Sequence, residues 1–331
     1  MRRMMLIGTV FLMLAVQAGA DELTWAKLVK QPEYMPAQCT VKKAFEFQSG
    51  MKVKAGQKMN VLEYNPQEIV LQSPDGRIVF GTSPADTDVL ALANAAYAAL
   101  TPEQRALTVQ DALKRPELWP YALKVKDTFD LGRVRINKGD TVYLMAVEKG
   151  ELVIVPKTYD MHSELMPQDT DFLEQARANL VKPAPGRIIE ELKGKLVKAQ
   201  TGEAVTLDAA TAPKYFIFYH AARWCPYTQK FTPGLKDLYL RKIKGNPDYE
   251  VIYIPAEKSA AELQTYAKEL DFPWPAIKFS ENNRLVVLAK ILGRNSIPEF
   301  GVVDRFGNIV IDNYNSDRDT ALKELEALLS K

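Results

Sequence analysis

The first half of this chain is written twice. Residue n aligns with residue n + 83, without a gap, from Met51/Val134 through Ala93/Ala176. Gly56/Gly139, Glu68/Glu151 and Val70/Val153 are identical. The block Pro84, Asp86, Thr87, Asp88, Leu90 recurs as Pro167, Asp169, Thr170, Asp171, Leu173. A further match, VKKAFEF (41–47) with VKDTFDL (125–131), runs one residue out of phase. Any fold for this half must therefore supply one supersecondary unit twice.

Each copy reads mainly as strands. MNVLEYN and EIVLQS in the first copy, and TVYLMAVE and ELVIVP in the second, are β-branched and partly alternating. The glycines of KAGQK and NKGDT punctuate them as turns. Each copy closes with a helix, DTDVLALANAAYAAL or DTDFLEQARANLV. The shared Asp-Thr-Asp suits capping, because short polar side chains accept exposed helix N–H groups and acids complement the dipole. Two carboxylates per copy are too few for a calcium cage. Short strands about turn glycines resemble a small SH3-like β-barrel. The expected order is repeat 1 with its helix over 21–98, a connecting helix over 99–120 opening at Thr101-Pro102, and repeat 2 with its helix over 121–180.

Residues 1–20 read as a cleavable export signal. Arg2 and Arg3 precede an uncharged, mostly apolar run from Leu6 to Val16, and Ala18-Gly19-Ala20 supplies a cleavage pattern after Ala20. That run is too short to span a bilayer, and nothing later is long enough. The mature chain is therefore expected to be periplasmic or secreted, without membrane insertion. Of 43 basic residues two leave with the signal, against 41 acidic ones, so the charge is balanced. Nucleic-acid binding, which needs a strongly basic face, is not expected. His162, His220, Cys39 and Cys225 lack metal-ligand spacing, so neither a metal site nor a cofactor is expected. A small core stapled by disulfides is excluded.

After the proline-rich connector VKPAPG (181–186), the composition changes to an α/β alternation over 187–331. RIIEELKGK is a short helix, KLVKAQTGEAVTL a hairpin about Thr201-Gly202, and YFIFYH a buried-type strand. YEVIYIPA, SAAELQTYAKEL, EFGVVDRFGNIVIDN and DTALKELEALLSK continue as strand, helix, strand–turn–strand and helix. The expected fold is multidomain: α+β in the repeats, then an α/β domain with a mixed sheet covered on both faces.

RWCPYTQKFTP (223–233) is where chemistry enters. A strand running directly into a helix leaves Cys225 at the helix N-terminus, where free N–H groups and the dipole stabilise a thiolate. Pro226 suits the first helical turn, whose N–H would go unused. Trp224 can roof the sulfur. Thr228 lies one turn on, on the same helix face, and its hydroxyl can donate to a thiolate. It cannot attack a mixed disulfide, so the site cannot release a disulfide taken up by Cys225 as a dithiol enzyme would.

Residues from about 187 to 331 resemble the thioredoxin superfamily, and most of all its tryparedoxin and nucleoredoxin branch. That branch carries a strand, W-C-P-P-C and R-x-F-T-P. FIFYHAARWCPYTQKFTP matches with Trp224, Cys225, Pro226, Phe231, Thr232 and Pro233 in register. Pro273-Trp274 matches a downstream P-W, and Ile297-Pro298 in SIPEF matches the cis-proline loop. The resemblance implies a thioredoxin-like domain with Cys225 as its thiol. Pro226, Tyr227, Ile297, Pro298 and Tyr219 are its implied binding residues, the Ile297-Pro298 loop pairing with a bound peptide. Tyr219 stands where many thioredoxins bury an acid and tryparedoxins carry tyrosine. Thr228 replaces the second cysteine, which puts dithiol reductase activity in doubt.

Two further residues have open roles. His220 either handles protons or is packed at a strand end. Cys39 is either a buried small hydrophobe or a resolving thiol. Two functions follow. One is a monothiol disulfide oxidoreductase or isomerase acting on exported client proteins or peptides through Cys225 and the Ile297-Pro298 loop. The other is a binding module, with the repeats holding an undetermined ligand or envelope component and the thioredoxin fold serving as a peptide platform.

Overall fold

The computed structural model describes residues 22–132, 134–157, 161–288, 296–312 and 318–330, so the expected export signal lies outside the described residues. The chain divides between Arg105 and Ala106 into two compact units. Among the described residues no helix is long and apolar enough to cross a membrane.

The first unit carries α1 (Trp25–Lys30), β1 (Gln38–Thr40), β2 (Phe45–Glu46), β3 (Lys52–Val53), β4 (Lys58–Tyr64), β5 (Ile69–Gln72), β6 (Val79–Thr82) and α2 (Val89–Ala98). Strands β1-β4-β5-β6 form an antiparallel sheet, and β2-β3 a separate ribbon. Met59, Ile69, Leu71, Val41 and Val53 close its core against Val89 of α2.

The second unit contains the second copy. Here β7 (Ala122–Lys124), β8 (Phe129–Asp130), β9 (Arg135–Ile136), β10 (Thr141–Glu148), β11 (Glu151–Pro156) and β12 (Ser163–Leu165) repeat the scheme. The sheet order is β12-β11-β10-β7, with a β8-β9 ribbon, and α5 (Phe172–Val181) closes it. The phase change in the sequence has a structural cause. Phe45 pairs with Val53 but Phe129 pairs with Ile136, so the first copy's ribbon turn holds one extra residue. Both copies carry a bulge at the same place, between Val61 and Glu63 and between Leu144 and Ala146.

The Asp-Thr-Asp motifs do more than cap. The middle threonine accepts the first helical N–H, Thr87 from Val89 and Thr170 from Phe172, both at 3.3 Å. The second aspartate instead reaches the edge strand: Asp88 accepts Thr40 N–H at 2.6 Å and Asp171 accepts Lys124 N–H at 2.7 Å. The motif thus ties each closing helix to the first strand of its own sheet.

The connecting segment is not one helix. It breaks into α3 (Pro102–Ala106), α4 (Val109–Leu113) and a 3-10 turn at Pro116–Leu118. Thr108 causes the restart: its hydroxyl accepts the Asp111 N–H at 3.1 Å, the bond of an N-cap rather than of a helix interior.

Within the same second unit, α6 (Arg187–Leu192) leads into a seven-stranded sheet. Its strands are β13 (Leu196–Lys198), β14 (Ala204–Val205), β15 (Tyr215–Ala221), β16 (Tyr249–Pro255), β17 (Pro275–Ile277), β18 (Glu299–Asp304) and β19 (Ile309–Asp312), ordered β14-β13-β17-β16-β15-β18-β19. Helices α7 (Pro226–Leu238), α8 (Ala260–Glu269) and α9 (Arg318–Leu328) complete it. Interior strand β15 is parallel to β16 and antiparallel to β18. Its odd residues Ile217, Tyr219 and Ala221 pack with Phe231 and Leu235 of α7. Its even residues Phe216 and Phe218 pack with Ile188 and Leu192 of α6. Burial on both faces explains the unbroken apolar run of YFIFYH.

The connector lies inside this unit, and Arg187 pins it. The buried guanidinium donates to the carbonyls of Phe306 (3.2 Å), Leu144 (3.2 Å) and Met145 (3.1 Å) and stacks on the Trp119 ring at 4.9 Å. It thereby joins the bulge of the second repeat to the β18–β19 turn. Gly186, at φ +113°, has to be glycine here: a Cβ would collide with the Arg305 carbonyl.

Candidate active site

Cys225 is the N-cap of α7, as the strand-to-proline junction predicts. Its own φ and ψ are −86° and 118°, Pro226 opens the helix, and the Cys225 carbonyl accepts the Gln229 N–H at 3.1 Å. Cys225 is 5% exposed and its thiol donates to the Ile297 carbonyl at 3.4 Å. The sheet register brings these segments together. His220 on β15 pairs with Glu299 on β18, so the residues just before Glu299 fall beside those just after Ala221. The Ile297–Pro298 peptide is cis.

Trp224 is 58% exposed, and its indole N–H donates to the Ala256 carbonyl at 3.2 Å, tying it to the loop after β16. Tyr227 is exposed on the first turn of α7. A 680 Å³ groove opens beside Trp224, lined by Arg223, Gln229, Glu262, Thr265 and Glu269. Arg223 closes part of it with a two-pronged bond to Glu269, at 2.7 and 2.8 Å.

Thr228 departs from expectation. It is fully buried, yet among the described residues its hydroxyl has no hydrogen-bond partner, so it makes no bond to the Cys225 sulfur. The polar network beneath the thiol is built from other residues. Thr232 spends its single proton on the Thr228 carbonyl at 2.7 Å. The Tyr219 hydroxyl at 2.7 Å and the Tyr266 hydroxyl at 3.0 Å must then both donate to Thr232. Burial pushes the phenols of Tyr219, Tyr253 and Tyr266 up, so they act as neutral donors.

His220 and Glu299 lie on the other face of β15 and β18. Their side chains are nearly buried and His220 Nδ1 stands 3.7 Å from Glu299 Oε2. This is a packed cross-strand pair on the α6 side of the sheet, whereas Tyr219 faces the thiol network.

Cys39 lies in the first unit, buried on β1 opposite Met59. Its counterpart in the second copy is Leu123, opposite Val142. A cysteine that occupies a leucine's place in a repeated core is packing material. Burial, with the nearby Asp88 charge, pushes its thiol up to about 11. Both cysteines are free thiols.

A family model described as thioredoxin-like matches residues 213–309. These residues form a thioredoxin-like domain. Nucleoredoxin from Xenopus laevis is 29% identical over 129 residues, covering 38% of this chain and 30% of that protein. Mouse nucleoredoxin is 30% identical over 131 residues, covering 39% and 28%. Tryparedoxin from Trypanosoma brucei brucei is 29% identical over 100 residues, covering 30% and 66%. The matched region thus spans under a third of the nucleoredoxins' own length. Among solved structures, tryparedoxin II from C. fasciculata is 26% identical with a TM-score of 0.35, covering 42% of this chain and 92% of that one. The thioredoxin-like domain holds Cys225, Thr228 and the Ile297–Pro298 loop together. It also holds Thr232, Tyr253, Tyr266 and Glu257, which no sequence spacing marked as a group.

Proposed function

We propose that this chain is an exported monothiol disulfide isomerase, periplasmic or secreted, with Cys225 as its nucleophile. The observation that carries this reading is Cys225 at the N-cap of α7, against the carbonyl of Ile297, with a hydroxyl one turn on where a resolving thiol would stand. The Cys225 thiolate attacks one sulfur of a client disulfide. A Cys225–client S–S bond forms, the client S–S bond breaks, and its electron pair leaves on the second client sulfur as a thiolate. The released client thiolate attacks a second client disulfide, and the thiolate which that exchange frees attacks the mixed disulfide, forms a new client disulfide and expels the Cys225 thiolate. No net oxidation occurs, so no cofactor or external reductant is required. In this reading the client lies along the Ile297–Pro298 loop with Tyr227 and Trp224 as its apolar contacts, and the repeats are SH3-like modules that hold the client or an envelope component.

A second reading has its own support. Cys225 is buried and its thiol proton is engaged by the Ile297 carbonyl. A closed thiol suits a peptide-binding platform with Cys225 as a packed side chain. Reactivation of a scrambled multi-disulfide protein separates the two. The isomerase recovers native activity without added reductant and Cys225→Ser does not. Equal recovery by both proteins, or by neither, leaves only the platform.

A further inference from the structure

The end of the seven-stranded sheet away from Cys225 holds a cavity of its own. Glu250, near the start of β16, stands opposite Phe216, near the start of β15, whereas Cys225 lies beyond Ala221, the last residue of β15. The cavity sits beside Glu250 and measures 440 Å³. Its walls include Phe272, Pro273, Trp274, Pro275, Val205 and Leu207. Lys198 pairs with Pro275 in the β13–β17 ladder, which sets the β13–β14 hairpin against these walls.

Two polar groups of the lining are left over. Trp274 is 2% exposed, and among the described residues its indole N–H has no acceptor. An indole N–H can only donate, and a buried donor without an acceptor is costly to keep. Glu250 is the other. Its Oε1 accepts the Val251 N–H at 2.9 Å and the Tyr239 O–H at 3.2 Å. Oε2 makes no hydrogen bond among the described residues, and no cation among them pairs with the carboxyl. Lys198, the basic residue of the lining, is held by Glu203 at 2.6 Å. Burial, the largest influence, pushes the Glu250 carboxyl up.

Apolar walls with a few polar groups are the form of a small-ligand site, and the volume lies in the range of such sites. The leftover groups specify the chemistry. The walls take an apolar body. The spare carboxylate oxygen takes a cationic N–H donor, whose charge offsets its own. The indole takes an oxygen acceptor. We propose that this cavity binds a small apolar amine that also carries a carbonyl oxygen, with the ammonium group on Glu250, the carbonyl on the Trp274 indole and the apolar body against Phe272 and Leu207. Cys225 plays no part in it, so the site stands whether or not the thiol exchanges disulfides.

Nitrogen–proton correlation NMR of the full chain, with phenylalaninamide as the probe, tests the site. The Trp274 indole signal, assigned by elimination through Trp→Phe variants at Trp25, Trp119 and Trp224, should move saturably downfield as its N–H gains an acceptor. Calorimetry should show Glu250→Gln weakening the affinity about tenfold or more, the loss expected for a charge-assisted bond. N-acetylphenylalaninamide keeps the ring and the carbonyl but not the charge, and should lose as much. A probe that leaves the Trp274 signal in place overturns the proposal. So does equal affinity for Glu250→Gln and the parent, or for the charged and acetylated probes. Should Glu250→Gln fail to fold, Val205→Lys on the edge strand β14 replaces it: a cation built into the wall should compete with the probe, and an unchanged affinity is equally fatal.

Discussion

The Cys225 thiol donates to the Ile297 carbonyl at 3.4 Å, across 72 residues of sequence. Antiparallel pairing of β15 with β18 sets this meeting, because His220 opposite Glu299 fixes how far each chain runs past the sheet edge. Glu191 lies on α6. Its buried carboxyl accepts the backbone N–H groups of Val286, Val287 and Leu288, at the start of the stretch that leads towards Ile297.

Thr228 is the residue that decides the chemistry. Thr228→Cys should give a dithiol site that reduces a generic protein disulfide with turnover in the presence of dithiothreitol, at a rate above that of the parent. Thr228→Val should fold and melt no lower than the parent, since it removes a buried hydroxyl that has no partner among the described residues. Such an orphan group costs about 1–3 kcal/mol of desolvation. A large loss of stability would show that the hydroxyl is hydrogen-bonded in solution.

Arg187 couples the second repeat to the thioredoxin-like domain. Burial pushes its guanidinium down to about 10, and three carbonyls depend on it. Arg187→Ala should destabilise the second unit by roughly 3 kcal/mol, because buried acceptors lose a charged donor. Urea unfolding checks this. A change within about 0.5 kcal/mol, the range of ordinary surface substitutions, would mean that the repeat and the domain are not held by this residue.

Cys39 gives a pH-dependent signature. Its thiol rises from 9.0 to about 11 on folding. The folded state therefore holds the proton more tightly than the unfolded chain. The associated stability is complete below pH 9.0 and is lost as pH rises through about 11. Cys39→Ala should flatten this part of the stability–pH curve. Identical slopes for the two proteins would show that the Cys39 thiol is not protected by burial.

The α/β half was legible because its strands and helices alternate with clear punctuation, and because strand, cysteine and proline in sequence leave little choice but an N-capped helix. The duplicated copies were legible from their matching residues. The rest depends on contacts that spacing does not encode. Asp88 and Asp171 bond strand residues 48 and 47 positions away, so capping was the visible half of their role. Thr108 restarts a helix that propensity alone would run through. Glu257 reads as a solvated loop acid, and only the fold over it turns it into a buried one. Thr228 lies on the expected helix turn, but its hydroxyl makes no bond to the sulfur.

The central claim is that Cys225 exchanges disulfides and has no internal thiol to release it. The direct measurement is capture of mixed disulfides by the unmodified full chain from an oxidising extract, resolved by mass without reductant. Higher-mass adducts should form on the parent, vanish with reductant and with Cys225→Ser, and be unchanged by Cys39→Ser. Thr228→Cys should sharply reduce them, since the new thiol releases the client. A parent chain that captures nothing, with Cys225 and Cys39 instead found bonded to each other, would contradict the account.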